Sequence, residues 1–187
     1  MPLPRVTEIA HLLVKRCLAP GGHAVDATVG NGHDTCFLAG LVGPGGRVDG
    51  FDIQPEAIAR TREKTTGFPQ VHLHHLGHEL MGERVPEPVE VVMFNLGYLP
   101  SGDKSVITVP SSTLTALDAA VALLKEGGLL VVVVYPGHDG GAEEATEVDR
   151  WFARLSPETH RVVHFGPPET DDRKRESPYL LAAWRER

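Results

Sequence analysis

Residues 26–35 read Asp26-Ala27-Thr28-Val29-Gly30-Asn31-Gly32-His33-Asp34-Thr35, and the fold turns on this stretch. An apolar run over 23–27 predicts a short strand closing on Asp26, and 34–42 predicts a helix. A strand that ends on an acid and passes through Gly-x-Gly into a helix is the first unit of an α/β sheet. Such sheets take ligands beyond the carboxyl ends of their strands. Glycines suit the turn because backbone must bend tightly and approach a ligand where a Cβ would clash. The third glycine of a dinucleotide fingerprint is missing, since position 35 is Thr. Twenty residues after Gly32 stands Asp52, closing a second strand over 47–52. A carboxylate there can accept hydrogen bonds from both hydroxyls of a ribose.

Outward from this turn the same rhythm continues. Apolar residues Ile9, Leu12, Leu13 and Cys17 predict a helix over 6–18 that Pro20-Gly21-Gly22 stops. Pro55 opens a helix to about Thr65, and 71–75 and 89–94 predict strands, the latter apolar enough to be covered on both faces. A long loop over 95–110 follows, and Ser111, Ser112 and Thr113 offer caps for a helix through Lys125. Gly127-Gly128 turns into a strand over 129–135; a helix over 143–155 and strands over 160–165 and 179–184 complete the chain. This alternation predicts a parallel sheet with helices on both faces, folded as one domain over 1–187.

Length and composition agree. The 187 residues, 41% hydrophobic and 23% charged, support one soluble domain with a real core. No apolar run is long enough to span a bilayer, and the first residues lack the core of a secretion signal. Two cysteines, Cys17 and Cys36, make a disulfide framework unexpected, so they are expected as buried thiols in a reducing cytoplasm. A net charge of -7 argues against wholesale coating of nucleic acid, but not against a local basic grip on RNA. Candidates for that grip are Arg5, Lys15, Arg16, Lys104, Arg173, Lys174 and Arg175, with scattered solvated charges the plainer alternative.

Charge also selects among cofactors. A pyrophosphate wants the full glycine pattern and a helix N-terminus free of acids. Asp26 and Asp34 flank the turn here, which favours a cationic amino-acid moiety and hence S-adenosylmethionine. After the fourth strand comes Phe94-Asn95-Leu96-Gly97-Tyr98-Leu99-Pro100. Amino-methyltransferases place Asp or Asn, two residues and an aromatic at this point. The amide oxygen can accept a hydrogen bond from the acceptor amine, and the ring can stack on a base. Asn95 and Tyr98 fill those positions, with Leu96-Gly97 in place of the usual prolines.

Residues 26–35, Gly50-Phe51-Asp52-Ile53-Gln54, Gly77-His78-Glu79, the block over 94–104 and the Tyr135–Gly141 loop together resemble the bacterial "putative rRNA methylase" family. The resemblance runs over almost the whole chain; one departure is Pro136, where the family pattern has His. It implies a Rossmann-like class I methyltransferase fold with a mostly parallel seven-stranded sheet. It also implies methylation of the aminomethyl nitrogen of 5-aminomethyl-2-thiouridine at the tRNA wobble position. Under that resemblance Gly30, Asn31, His33 and Asp34 line the methionine part of the cofactor, and Asp26, Gly32 and Asn95 also belong to its binding site. Asp52 and Gln54 hold ribose and adenine, His78 or Glu79 sits at the adenine edge, and Asn95 and Tyr98 face the acceptor amine. Asp103, Lys104, Tyr135 and His138 are assigned to the tRNA anticodon region, and a homodimer is expected.

Rival readings stay open at this level. Methylation of rRNA or a small molecule, or a non-catalytic RNA-binding module of the same fold, fits the same pattern. His72, His74, His75 and His78 invite a metal, but no Cys or Glu-x-x-His framework supports one, so none is expected. Ser111 or Ser112 with His138 and Asp139 would need a nucleophile elbow that is absent. No general base is assigned, although His138 is a candidate for removing the amine proton.

Overall fold

The computed structural model describes residues 4–86, 88–97, 110–138, 140–166 and 176–186. Helix α1 (Val6–Cys17) precedes β1 (His23–Asp26), α2 (His33–Val42), β2 (Arg47–Asp52), α3 (Pro55–Lys64) and β3 (Val71–His75). A 3-10 turn (His78–Leu80) and α4 (Met81–Arg84) lead into β4 (Val89–Leu96). There follow α5 (Pro110–Leu123), β5 (Leu124–Val134), α6 (Gly141–Phe152), β6 (His160–Phe165) and β7 (Tyr179–Arg185).

The seven strands form one sheet in the order β3-β2-β1-β4-β5-β7-β6. The first five are parallel, but β7 runs antiparallel to both β5 and β6. The parallel sheet read from the alternation is therefore corrected to a mixed one, with the seven strands that the resemblance implies. Parallel neighbours need a crossover, usually a helix, whereas β6 and β7 meet as an antiparallel pair that needs none.

Strand β4 shows why its sequence is apolar at nearly every position. Val91 and Met93 face a cluster built with Ala10 and Val14 of α1 and Leu38, Ala39 and Val42 of α2. Val92 and Phe94 face the opposite cluster, with Met81 of α4, Leu117 and Ala120 of α5 and Val148 and Phe152 of α6. Period-two alternation thus sends successive residues into two separate cores.

Several local expectations are corrected. Leu12 is 58% exposed; the inner face of α1 is carried by Ala10 and Val14. Ser111, Ser112 and Thr113 lie inside α5, which starts at Pro110, so they are not its caps. Thr113 instead donates its hydroxyl to Glu144 of α6 at 2.7 Å, where both side chains are buried. Helix α5 stops at Leu123, and the chain bows outward at 125–127 before pairing resumes at Val91↔Leu129. Gly127, at φ +75°, supplies the left-handed residue that this bow needs. Asn95 and Leu96 belong to β4 rather than to a loop, and the short helical segment after His78 carried no sequence signal strong enough to read. Cys17 and Cys36 are free thiols, each only partly buried. Among the described residues no helix is long and apolar enough to cross a membrane.

Candidate active site

β1 pairs with β2 on one side and β4 on the other, so the order of strands reverses at β1/β4. A crevice opens at the carboxyl edge of such a switch point. The 26–32 turn lies there, fixed to both neighbours. Val29 donates its backbone N–H to the Phe51 carbonyl at 3.0 Å, and Asn95 donates its own to Thr28 Oγ1 at 2.7 Å.

Asp26 is a support beneath the turn. It is 1% exposed; Oδ1 accepts the Thr28 N–H at 3.1 Å and Oδ2 the Thr35 hydroxyl at 2.5 Å. Asp52 holds the turn from β2: Oδ2 accepts the Gly30 N–H at 2.8 Å and Oδ1 the Gln54 N–H at 2.9 Å. Each carboxylate oxygen can accept two bonds, so Asp52 retains acceptor capacity on both.

Gly30 and Gly32 adopt φ of +50° and +75°. At Gly32 there is a second constraint, because a Cβ would stand 2.5 Å from Thr61 Oγ1. Helix α3 packs this closely because it clasps the turn. Thr61 donates to the Gly30 carbonyl at 3.4 Å, Lys64 to the Asn31 carbonyl at 2.6 Å, and Arg60 to Asn31 Oδ1 at 3.4 Å. The Asn31 side chain is therefore directed at α3.

Three carboxylates converge on the turn. Burial, then the nearby Asp34, push the Asp26 carboxyl up to about 7; the Thr35 and Thr28 hydrogen bonds oppose this, and Asp52 adds to it. A carboxyl so crowded by negative charge gains from a cation and loses from a phosphate. The carboxylate acceptors fit the ammonium and sulfonium of S-adenosylmethionine, with Asp52 suited to its ribose.

Asp34 connects the turn to β4. Asn95 Nδ2 donates to Asp34 Oδ2 at 3.3 Å, and His11 Nε2 of α1 donates to Asp34 Oδ1 at 2.7 Å. Tyr135, half-buried just after β5, donates its N–H to the Leu96 carbonyl at 3.2 Å. Its phenol is held above the usual value by burial and then by Asp34, with Arg5 opposing. The neutral hydroxyl thus stands in the electrostatic reach of Asp34, beside the end of β4.

His78 is buried below the turn. Its Nδ1 donates to the Ala27 carbonyl at 3.2 Å, its ring packs against Phe94, and burial lowers its affinity for a proton. The neutral ring keeps Nε2 as an acceptor. Glu79, next to His78 in sequence, and Gln54, two residues after Asp52, are partly buried, and His33 is exposed at the first position of α2. His138 folds against the start of α6, where its carbonyl accepts the Gly141 N–H at 2.9 Å. Tyr98, Asp103, Lys104, Asp139, Arg173, Lys174 and Arg175 lie outside the described residues.

His74 of β3 has another use. Asp49, fully buried in β2, accepts from His74 at 2.8 Å, from His23 at 2.7 Å and from the Arg47 guanidinium at 2.6 and 2.7 Å. These partners outweigh burial and hold the Asp49 carboxyl far below the usual range. Among the described residues no three His, Cys, Asp or Glu side chains are arranged to hold a metal ion.

The family model described as "Putative rRNA methylase" matches residues 48–183. The chain belongs to this family. Solved structures superpose along almost its whole length. A putative rRNA methylase from Clostridium thermocellum is 39% identical, covers 99% of this chain and 100% of its own, and gives a TM-score of 0.93. A putative methyltransferase from Streptococcus mutans, in complex with SAH, is 34% identical, with 98% and 99% covered and a TM-score of 0.87. Among curated relatives, the chloroplastic tRNA (mnm(5)s(2)U34)-methyltransferase of Arabidopsis thaliana is 44% identical over 81% of this chain. The chain spans 60% of that relative's length. In this family member, then, the turn, Asp52 and Asn95 sit on a fold shared with methyltransferases.

Sequence reasoning missed His11, Thr28, Thr35 and Thr61 as parts of the site. Thr28 and Thr35 lie within the decisive stretch and could have been found as hydroxyl partners for Asp26. His11 and Thr61 lie on other helices, and no spacing rule connects them to the turn.

Proposed function

We propose that this rRNA methylase family member is an S-adenosylmethionine-dependent N-methyltransferase acting on the aminomethyl nitrogen of 5-aminomethyl-2-thiouridine at the tRNA wobble position. The observation that carries this is Asn95, at the carboxyl end of β4, with its amide nitrogen bonded to Asp34 beside the acid-lined turn. Identity to the Arabidopsis tRNA enzyme supports the substrate, and the SAH complex of the S. mutans relative supports the cofactor.

When bound, the cofactor would supply an electrophilic methyl carbon on a sulfonium and leave as a neutral thioether. The chain's own residues bind and orient. Asp34 would hold the ammonium, Asp52 would accept the ribose hydroxyls, and His78 would offer its Nε2 as an acceptor to the adenine. Asn95 Oδ1 accepts an N–H of the neutral acceptor amine, aligning its lone pair with the methyl carbon. Nitrogen then gains the methyl carbon and becomes a secondary ammonium, which gives its proton to solvent. Tyr98 would cover the acceptor, with Asp103, Lys104, Tyr135 and His138 toward the anticodon loop.

The test is mass spectrometry of tRNA nucleosides from a deletion strain. The aminomethyl precursor should accumulate and the methylaminomethyl product disappear, and purified protein with S-adenosylmethionine should reverse both. An unchanged nucleoside profile would overturn the tRNA assignment.

A further inference from the structure

The nitrogen and oxygen of an Asn side chain are nearly equal in shape, so the amide can present either end to a ligand. Only one orientation helps an attacking amine. With Oδ1 toward the acceptor the amide takes an N–H and leaves the lone pair exposed; with Nδ2 toward it, the amide ties up that lone pair. A neighbouring carboxylate decides the matter, because it can only accept. Asp34 Oδ2 takes Asn95 Nδ2.

The carboxylate must itself be held. Asp34 sits in the first turn of α2, where free backbone N–H groups compete for an acid. Its other oxygen is fixed by His11 Nε2 at 2.7 Å. His11 in turn lies flat on Phe37, with ring centroids 3.8 Å apart and planes 11° apart. Phe37 is on α2, so the ring cannot swing without losing that stack. His11 belongs to α1, an element remote in sequence from Asn95.

We propose that His11 is a positioning residue for methyl transfer: acting through Asp34, it sets the Asn95 amide with Oδ1 toward the acceptor amine. This rests on the acceptor role given to Asn95 above.

Three readouts test it: the Asn95 side-chain amide signals by NMR, identified by their loss in Asn95→Ala; calorimetric affinity for S-adenosylhomocysteine; and kcat on tRNA from the deletion strain. His11→Ala should displace the Asn95 amide signals and lower kcat about tenfold to 100-fold, the cost of a misplaced reacting group. Affinity for S-adenosylhomocysteine should fall by much less than kcat, since Asp52 and the glycine turn keep their places and Asp34 keeps its charge beside them. His11→Gln, which can donate to the same oxygen, should restore both the signals and most of kcat. His11→Ala combined with Asn95→Ala should be no slower than Asn95→Ala alone.

An unchanged kcat in His11→Ala, with Asn95→Ala inactive, would overturn the role of His11 alone. So would a double variant slower than Asn95→Ala by the full His11 factor, or a loss of S-adenosylhomocysteine affinity as large as the loss of kcat. Full activity of Asn95→Ala would overturn the acceptor reading and this role with it.

Discussion

Asn95 and Asp34 stand 61 positions apart in sequence and share a hydrogen bond, Nδ2 to Oδ2, at 3.3 Å. The bond joins the end of β4 to the start of α2 across the switch point. It gives the amide a fixed donor end and leaves its oxygen as the acceptor.

Removing that oxygen should affect turnover and spare binding. Asn95→Ala is expected to lower kcat by about 100-fold or more, the scale set by loss of acceptor alignment. The affinity for S-adenosylhomocysteine by calorimetry should change by less than about threefold, because Asp34 and Asp52 keep their places. Equal losses in both would show that Asn95 holds cofactor instead.

Asp52 has the opposite profile. Asp52→Ala removes the partner of the Gly30 and Gln54 N–H groups as well as the proposed ribose acceptor. Affinity for S-adenosylhomocysteine should fall by about 10-fold to 100-fold, consistent with roughly 1.5–3 kcal/mol for hydrogen bonds to a charged group. Calorimetry reads this directly, and unchanged affinity would refute the role.

The Asp26 carboxyl gives the site a pH dependence. Its folded value of about 7 exceeds the ordinary 3.8, so the folded protein binds the proton more tightly than the unfolded chain between those values. Stability from this group is therefore greatest below pH 4, declines as pH rises toward 7, and is level above. A bound cation favours the carboxylate, so cofactor binding below pH 7 should release a proton and tighten as pH rises toward 7, by at most about tenfold per unit, and be level above. Calorimetry in two buffers of different ionisation enthalpy would detect the release. Proton uptake would contradict it.

Gly32 should tolerate no side chain. Gly32→Ala imposes a left-handed residue with a Cβ, about 1–2 kcal/mol, and drives it against Thr61. Thermal denaturation should show a lower midpoint. Adding Thr61→Ala should recover only part, because relief of the contact leaves the backbone cost in place.

Much of this was legible in the chain itself. The acid, the Gly-x-Gly turn and the second acid after β2 announce a ligand-binding α/β sheet because strand, turn and helix chemistry are local. The apolar β4 announces burial on both faces for the same reason. The antiparallel β7 was not legible, since strand direction depends on pairing with β5 and β6 rather than on composition. The exposure of Leu12 was likewise decided by which side of α1 met the sheet.

The site divides along the same line. Sequence determined that carboxylates surround a glycine turn, and so that a cation suits it. Only tertiary structure decided what each does. Asp26 is buried as a support, Asn31 is turned toward α3, and His11 reaches Asp34 from a helix 23 positions earlier. The reason is physical: covalent spacing sets what neighbours in a turn can do, whereas hydrogen bonds between distant residues exist only after packing has brought their elements together.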